Sequence, residues 1–138
     1  MTEAWKVRAI RGATTASENS VAAIRVAVRE LIDEIESRNQ LDPDEIVSAT
    51  FTATPDLDAI FPAAIARDRP GWDHVALLDV QQLHVAGALP RCIRVLIHVN
   101  TPHPQREMIH AYLGEARNLR PDWSLTTISH ALHRPLNG

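Results

Sequence analysis

Three features of the sequence predict a single domain of the α/β (α+β) class, a mixed β-sheet with helices packed on one face. Strand-like and helix-like segments follow one another in the order β-α-β-α-β-β-α. One long segment carries an apolar stripe at helical spacing, and four shorter runs are rich in Val, Ile and Thr. The length of 138 residues suits one sizeable core, so residues 1–138 are read as one domain. Helices on one face leave the other face of a four- or five-stranded sheet uncovered, and a homo-oligomer is expected to cover it.

The first strand is placed over residues 5–11, where Trp5, Val7 and Ala9 alternate with Lys6, Arg8 and Ile10. It ends in Gly12-Ala13-Thr14-Thr15, and Ser17 or Asn19 is the expected N-cap of a long helix, with Glu18 near its positive end. In that helix Ile24, Val28, Leu31, Ile32 and Ile35 form one stripe, with Arg25, Arg29, Glu30, Asp33 and Glu36 on the wet side. Asn39 closes it.

Asp42-Pro43 reads as a turn or a short helical start, residues 46–52 as a second strand, and residues 62–69 as a short helix with proline in its first turn. Residues 75–80 are almost continuously apolar, which predicts a third strand buried on both faces. A loop over 81–90 leads to a fourth strand over 91–99. Pro104 then starts a helix running to about residue 115, its inner stripe being Met108, Ile109, Tyr112 and Leu113. From Leu119 on an extended tail is expected, disordered from about residue 126.

Composition narrows the function. A net charge of −3 argues against general nucleic-acid binding. The single cysteine, Cys92, can form neither an internal disulfide nor a thiolate metal site. The N-terminal residues lack the apolar core of a signal peptide, and no run reaches the ~18 apolar residues of a membrane span. A cytoplasmic protein without membrane or nucleic-acid partners is expected.

The sequence contains no nucleophile elbow, phosphate loop, dinucleotide fingerprint or zinc-protease motif. Of the seven histidines, His98, His103 and His110 could be read as a metal set, but their spacing favours solvated or core-edge positions. Arginine carries more information. Arg94 lies between Ile93 and Val95, an expensive place for a lone cation. Its bland explanation is a buried ion pair with Asp79 or Glu115. Arg11 ends a strand just before a glycine, Arg67 closes a helix where a cation also suits the dipole, and Arg120 lies in Leu119-Arg120-Pro121-Asp122. Arg11 with Arg94 suggests an anion site.

Several motifs in order resemble the monofunctional AroH-type chorismate mutases. They are Ile10-Arg11-Gly12-Ala13-Thr14-Thr15, Ser48-Ala49-Thr50, Ala53-Thr54-Pro55-Asp56-Leu57 leading to Phe61-Pro62-Ala63, Cys92-Ile93-Arg94-Val95, Tyr112-Leu113, and Leu119-Arg120-Pro121-Asp122. The resemblance runs from about residue 6 to residue 126. It implies a homotrimer built around a pseudo-α/β barrel, with active sites between neighbouring subunits. The implied reaction is the cofactor-free, metal-free rearrangement of chorismate to prephenate on the way to phenylalanine and tyrosine.

The resemblance also assigns roles. Arg94 reaches the breaking ether oxygen and a carboxylate, while Arg11 and Tyr112 fix the side-chain carboxylate. Phe61, Ala63 and Arg67 come from the adjacent subunit, and Leu119 and Arg120 help cover the cleft. Leu77 and Leu78, in the segment that matches the middle of the site, are counted among the substrate-binding residues. Tyr112 could otherwise be a helix-core residue with its hydroxyl at the edge.

Two positions depart from the family pattern, which has Cys and Glu where this chain has Asp79 and Gln82. The expectation is a relocated carboxylate, with Asp79 balancing Arg94 and the positive charge on the ring while Gln82 keeps a hydrogen bond. The alternative is that Gln82 marks reduced activity. Ala64 stands where a lysine is frequent, so one peripheral cation is missing. Two rival functions are a trimeric imine or enamine deaminase of similar fold, and a chorismate-binding homologue without turnover.

Overall fold

The structure, a computed structural model, describes residues 4–123. The expected disorder from about residue 126 therefore lies outside the described residues. Strand β1 spans Lys6–Thr15, helix α1 Val21–Asn39, β2 Ile46–Ala53, helix α2 Pro62–Arg67, β3 Ala76–Gln81, β4 Cys92–Thr101 and β5 Ala111–Tyr112. They form one mixed sheet in the order β3-β2-β4-β1-β5. β4 runs antiparallel to both β1 and β2, whereas β2 with β3 and β1 with β5 are parallel.

β1 is longer than its alternating run because Gly12-Ala13-Thr14-Thr15 continues the ladder against Val95, Arg94, Ile93 and Cys92. Helix α1 begins at neither Ser17 nor Asn19 but at Ser20, whose Oγ accepts from the Ala23 N–H at 3.1 Å. Asn19 instead ties the Asp58 loop down through its side-chain amide. Asn39 is the last helical residue, followed by Gln40 in the left-handed region at φ 48°.

The α1 stripe packs as its spacing predicts, with Ile24, Val28, Leu31, Ile32 and Ile35 all fully buried. They meet Ile10, Ala49, Phe51, Ile93, Val95 and Ile97 from the sheet. Each fully buried aliphatic side chain contributes roughly 1.5–3 kcal/mol, so this layer fixes which face of every strand points inward. β4 shows it plainly, with residues 93, 95, 97 and 99 buried and Arg94, Leu96 and His98 on the opposite face. α2 packs on the same side as α1, against β2 and β3.

Two expectations are corrected. β3 is not buried on both faces; it is an edge strand, and Leu78 and Val80 are 59% and 45% exposed. Its apolar character reflects a face that nothing in the single chain covers. The expected helix over residues 104–115 is also absent. That segment holds a 3-10 turn at Gln105–Glu107, then β5, then a second 3-10 turn at Gly114–Asn118. Met108 leaves the first turn with extended backbone at ψ 132°, and Gly114 at φ +56° breaks any continuing helix. The free edge of β1 captures the segment instead, the Leu113 N–H donating to the Ala13 carbonyl at 2.8 Å. Tyr112 is thus a strand residue.

Candidate active site

Ladder parity sets the geometry of the polar residues. Gly12 faces Val95 on the helix side, so Arg11 and Ala13, with their partners Leu96 and Arg94, project from the other face. Tyr112, paired with Ala13 across β1 and β5, is completely buried and packs with Ala13, Ala116, Leu89 and Leu119. Burial pushes the Tyr112 hydroxyl up, while Arg11, Arg94 and Arg120 draw it back. Three guanidinium groups therefore act on one tyrosine, which makes this stretch of the sheet favourable to an anion. Arg120 itself makes a two-point contact with Asp122, donating to its carboxylate at 3.1 and 2.8 Å.

The ion pair expected for Arg94 with Asp79 or Glu115 is not what engages it. Its Nε donates to the neutral Oε1 of Gln82 at 3.2 Å. Asp79 pairs with Phe51 across the β2–β3 ladder, on the helix side, and its Oδ1 accepts from the Ala63 N–H at 3.0 Å. Within one chain Asp79 and Arg94 thus occupy opposite faces of the sheet. Burial raises the Asp79 carboxyl, and the Ala63 amide partly offsets this. Cys92 is buried beside Arg94, and burial keeps its thiol above the ordinary range, so it is a packing residue.

A second group of predicted residues gathers elsewhere. Phe61, Ala63, Ala64, Arg67, Val75, Leu77 and Asp79 line an open cleft of about 430 Å³ along α2 and the edge strand. Phe61 precedes Pro62 at the start of α2 and is 70% exposed, and Arg67 ends that helix. Pro62 at the first helical position explains both placements. Leu78, by contrast, points from the uncovered face with Val80 and does not join Leu77. Strands β2 and β4 lie between β3 and β1, three strand spacings or about 14 Å along the sheet, so the two groups do not meet in one chain.

Sequence reasoning sets His110 aside as solvated or core-edge and does not reveal that it, with Ala13 and Leu89, lies around Arg11 and Tyr112. The Arg11 N–H donates to Nδ1 of His110 at 2.9 Å. Burial, then Arg11 and Arg120, lower the imidazole from 6.5 to about 4, against an opposing pull from Asp122. Nothing local marks such a histidine, since its partner is 99 residues away. Among the described residues no cluster of His, Cys, Asp and Glu could hold a metal ion, and no helix is long and apolar enough to cross a membrane.

Comparison with known proteins shows the family of the chain. Residues 7–123 match the family model of chorismate mutase type I. The chain is 40% identical over 120 residues to chorismate mutase AroH of Bacillus subtilis (strain 168), covering 87% of this chain and 94% of that one. It is 44% identical over 117 residues to chorismate mutase AroH of Thermus thermophilus, covering 84% and 95%. A solved chorismate mutase from Clostridium thermocellum superposes with a TM-score of 0.77 at 44% identity, over 80% of this chain and 97% of its own. On family model, sequence and fold together, the chain belongs to the chorismate mutase type I family.

Proposed function

We propose that this chain rearranges chorismate to prephenate in clefts shared by neighbouring copies of a cytoplasmic homotrimer. The family membership supports this activity over an imine or enamine deaminase. The supporting observation for a shared cleft is the division of the site residues. Arg11, Arg94, Gln82, Tyr112, Leu119 and Arg120 belong to one half-site, and Phe61, Ala63, Arg67, Leu77 and Asp79 to the other. A second copy brings a complementary half to each. The exposed Leu78 and Val80 supply apolar surface for such an assembly.

The reaction breaks the ether C–O bond and forms a C–C bond between the enolpyruvyl methylene and the ring, in one cyclic shift of electron pairs. No proton moves and no covalent intermediate forms. The protein's task is to hold the side chain folded over the ring and to stabilise the separating charges. Arg94, with Nε held by Gln82, directs its terminal N–H groups at the ether oxygen, where negative charge develops. Arg11 and Tyr112 grip the side-chain carboxylate. From the neighbour, Arg67 faces the ring carboxylate, Phe61 walls the ring, and Asp79 answers the positive charge developing on it.

Measuring chorismate loss by ultraviolet absorbance, together with mass in solution, tests this. Turnover by a trimer is expected. Tight chorismate binding without prephenate would identify a non-catalytic homologue, and a well-folded active monomer would overturn the shared cleft.

A further inference from the structure

Backbone pairing between β1 and β5 covers only Gly12 with Ala111 and Ala13 with Tyr112. Before that point, side chains do the work of a strand. Gln105 accepts from the Ala9 N–H at 2.9 Å and donates from Nε2 to the Ala9 carbonyl at 2.6 Å. Asn39, from the end of α1, brackets Ile109, accepting from its N–H at 2.8 Å and donating to its carbonyl at 2.9 Å. His110 completes the series by accepting the Arg11 N–H through Nδ1.

We propose that His110 is a positioning residue for the rearrangement, its ring nitrogen Nδ1 fixing the spacing between Arg11 and Tyr112. This rests on the activity proposed above, in which those two side chains hold the same carboxylate. The ring is bonded to the peptide nitrogen of Arg11, and Tyr112 follows two residues later on the strand that docks beside it. If the seam slips, the two grips separate, and a misplacement of about 1 Å costs roughly a hundredfold in rate.

Imidazole suits the position because it is an acceptor without charge. A carboxylate could take the same N–H but would draw Arg11 and Arg120 away from the substrate. The charged groups facing the ring are Arg11 from β1 and Arg120 and Asp122 from the segment after β5. Burial first, and then the two arginines, disfavour a proton on Nδ1, so the site that needs the acceptor also helps to preserve it.

The test compares variants at this position in purified protein. Asn places its amide oxygen where Nδ1 stands, whereas Gln reaches one bond farther, toward Nε2. His110→Asn is expected to keep kcat/KM within about threefold, while His110→Ala and His110→Gln lose about ten- to a hundredfold, mostly through KM, at wild-type mass. If the alanine variant does not fold, the Asn and Gln pair decides. In ¹⁵N spectra of labelled wild-type protein, the signal absent from His110→Asn should show an unprotonated Nδ1 at neutral pH. Equal activity in all three variants, or a protonated Nδ1, overturns the proposal. A wild-type chain without turnover would overturn the activity instead, whatever the ring's protonation.

Discussion

Nε of Arg94 donates to the amide oxygen of Gln82 at 3.2 Å, so the guanidinium is oriented without being neutralised. A glutamate there would make the bond charge-assisted and reduce the field that the ether oxygen meets. The electrostatic contribution should therefore concentrate in Arg94. Arg94→Lys keeps a charge but loses the planar fork. It is expected to lower kcat by about 10²–10³, with Arg94→Ala lower still, as for other preorganised donors to developing negative charge. Steady-state chorismate assays check this; a loss confined to KM would contradict it.

Asp79 and Gln82 form the second test. Asp79→Asn retains an oxygen for the Ala63 N–H and nearly the same volume, so it removes little besides charge. We expect kcat/KM to fall more than tenfold, or about 1.4 kcal/mol. Gln82→Glu should recover part of that loss in the double variant, and the coupling energy from the four-member cycle measures how far the carboxylates substitute. A smaller loss in Asp79→Asn would leave this residue as a support for the α2 N-terminus.

Much of this was legible because some patterns have one physical solution. The α1 stripe at helical spacing must be buried, and it fell on the sheet as written. A cation between Ile93 and Val95 needs a reason, and Arg94 has one in Gln82 and the tyrosine beside it. The segment before Tyr112 was not legible. Its apolar positions satisfy helical spacing as well as strand spacing, and its conformation is decided by Gln105, Asn39 and His110 through partners 70 to 99 residues away. Strand parity puts Arg94 and Asp79 on different faces, but only the order of strands reveals it.

Division of the site between chains predicts complementation. Arg94→Ala damages one half-site and Arg67→Ala the other. Co-refolded at equal amounts, the two nearly inactive chains form mixed trimers in which roughly a quarter of the clefts combine two intact halves. Activity should rise toward that fraction of wild type. No recovery, with mixed trimers verified by mass, would place both arginines in one chain's cleft.

The lowered imidazole of His110 gives a signed pH dependence. Its value falls from 6.5 to about 4 on folding, so between those limits the unfolded chain binds a proton that the folded chain refuses. This contribution is complete above about pH 6.5 and is lost as pH drops toward 4. Because the ring is only partly buried, solvent screening reduces the loss to about 2 kcal/mol, below the full value of the shift. Urea unfolding across that window should show wild type losing more stability than His110→Asn. Parallel curves would mean that the ring stays solvated.

Gly12 links the core to the site. A Cβ there would lie 2.9 Å from Cδ1 of Ile35, 3.0 Å from Cδ1 of Leu31 and 3.1 Å from the Ala111 carbonyl oxygen. The two methyl groups end side chains that are fully buried, so neither swings aside without opening the α1 layer. The carbonyl belongs to β5, and moving it shifts Tyr112 relative to Arg11. Gly12→Ala should therefore cost about 1–3 kcal/mol, as overpacking does in dense cores. It should also raise KM for chorismate more than it lowers kcat, because the carboxylate grip loosens while Arg94 stays on β4. Denaturant midpoints and steady-state kinetics on one preparation read both effects. Lost stability with an unchanged KM would show that α1, not β5, gives way.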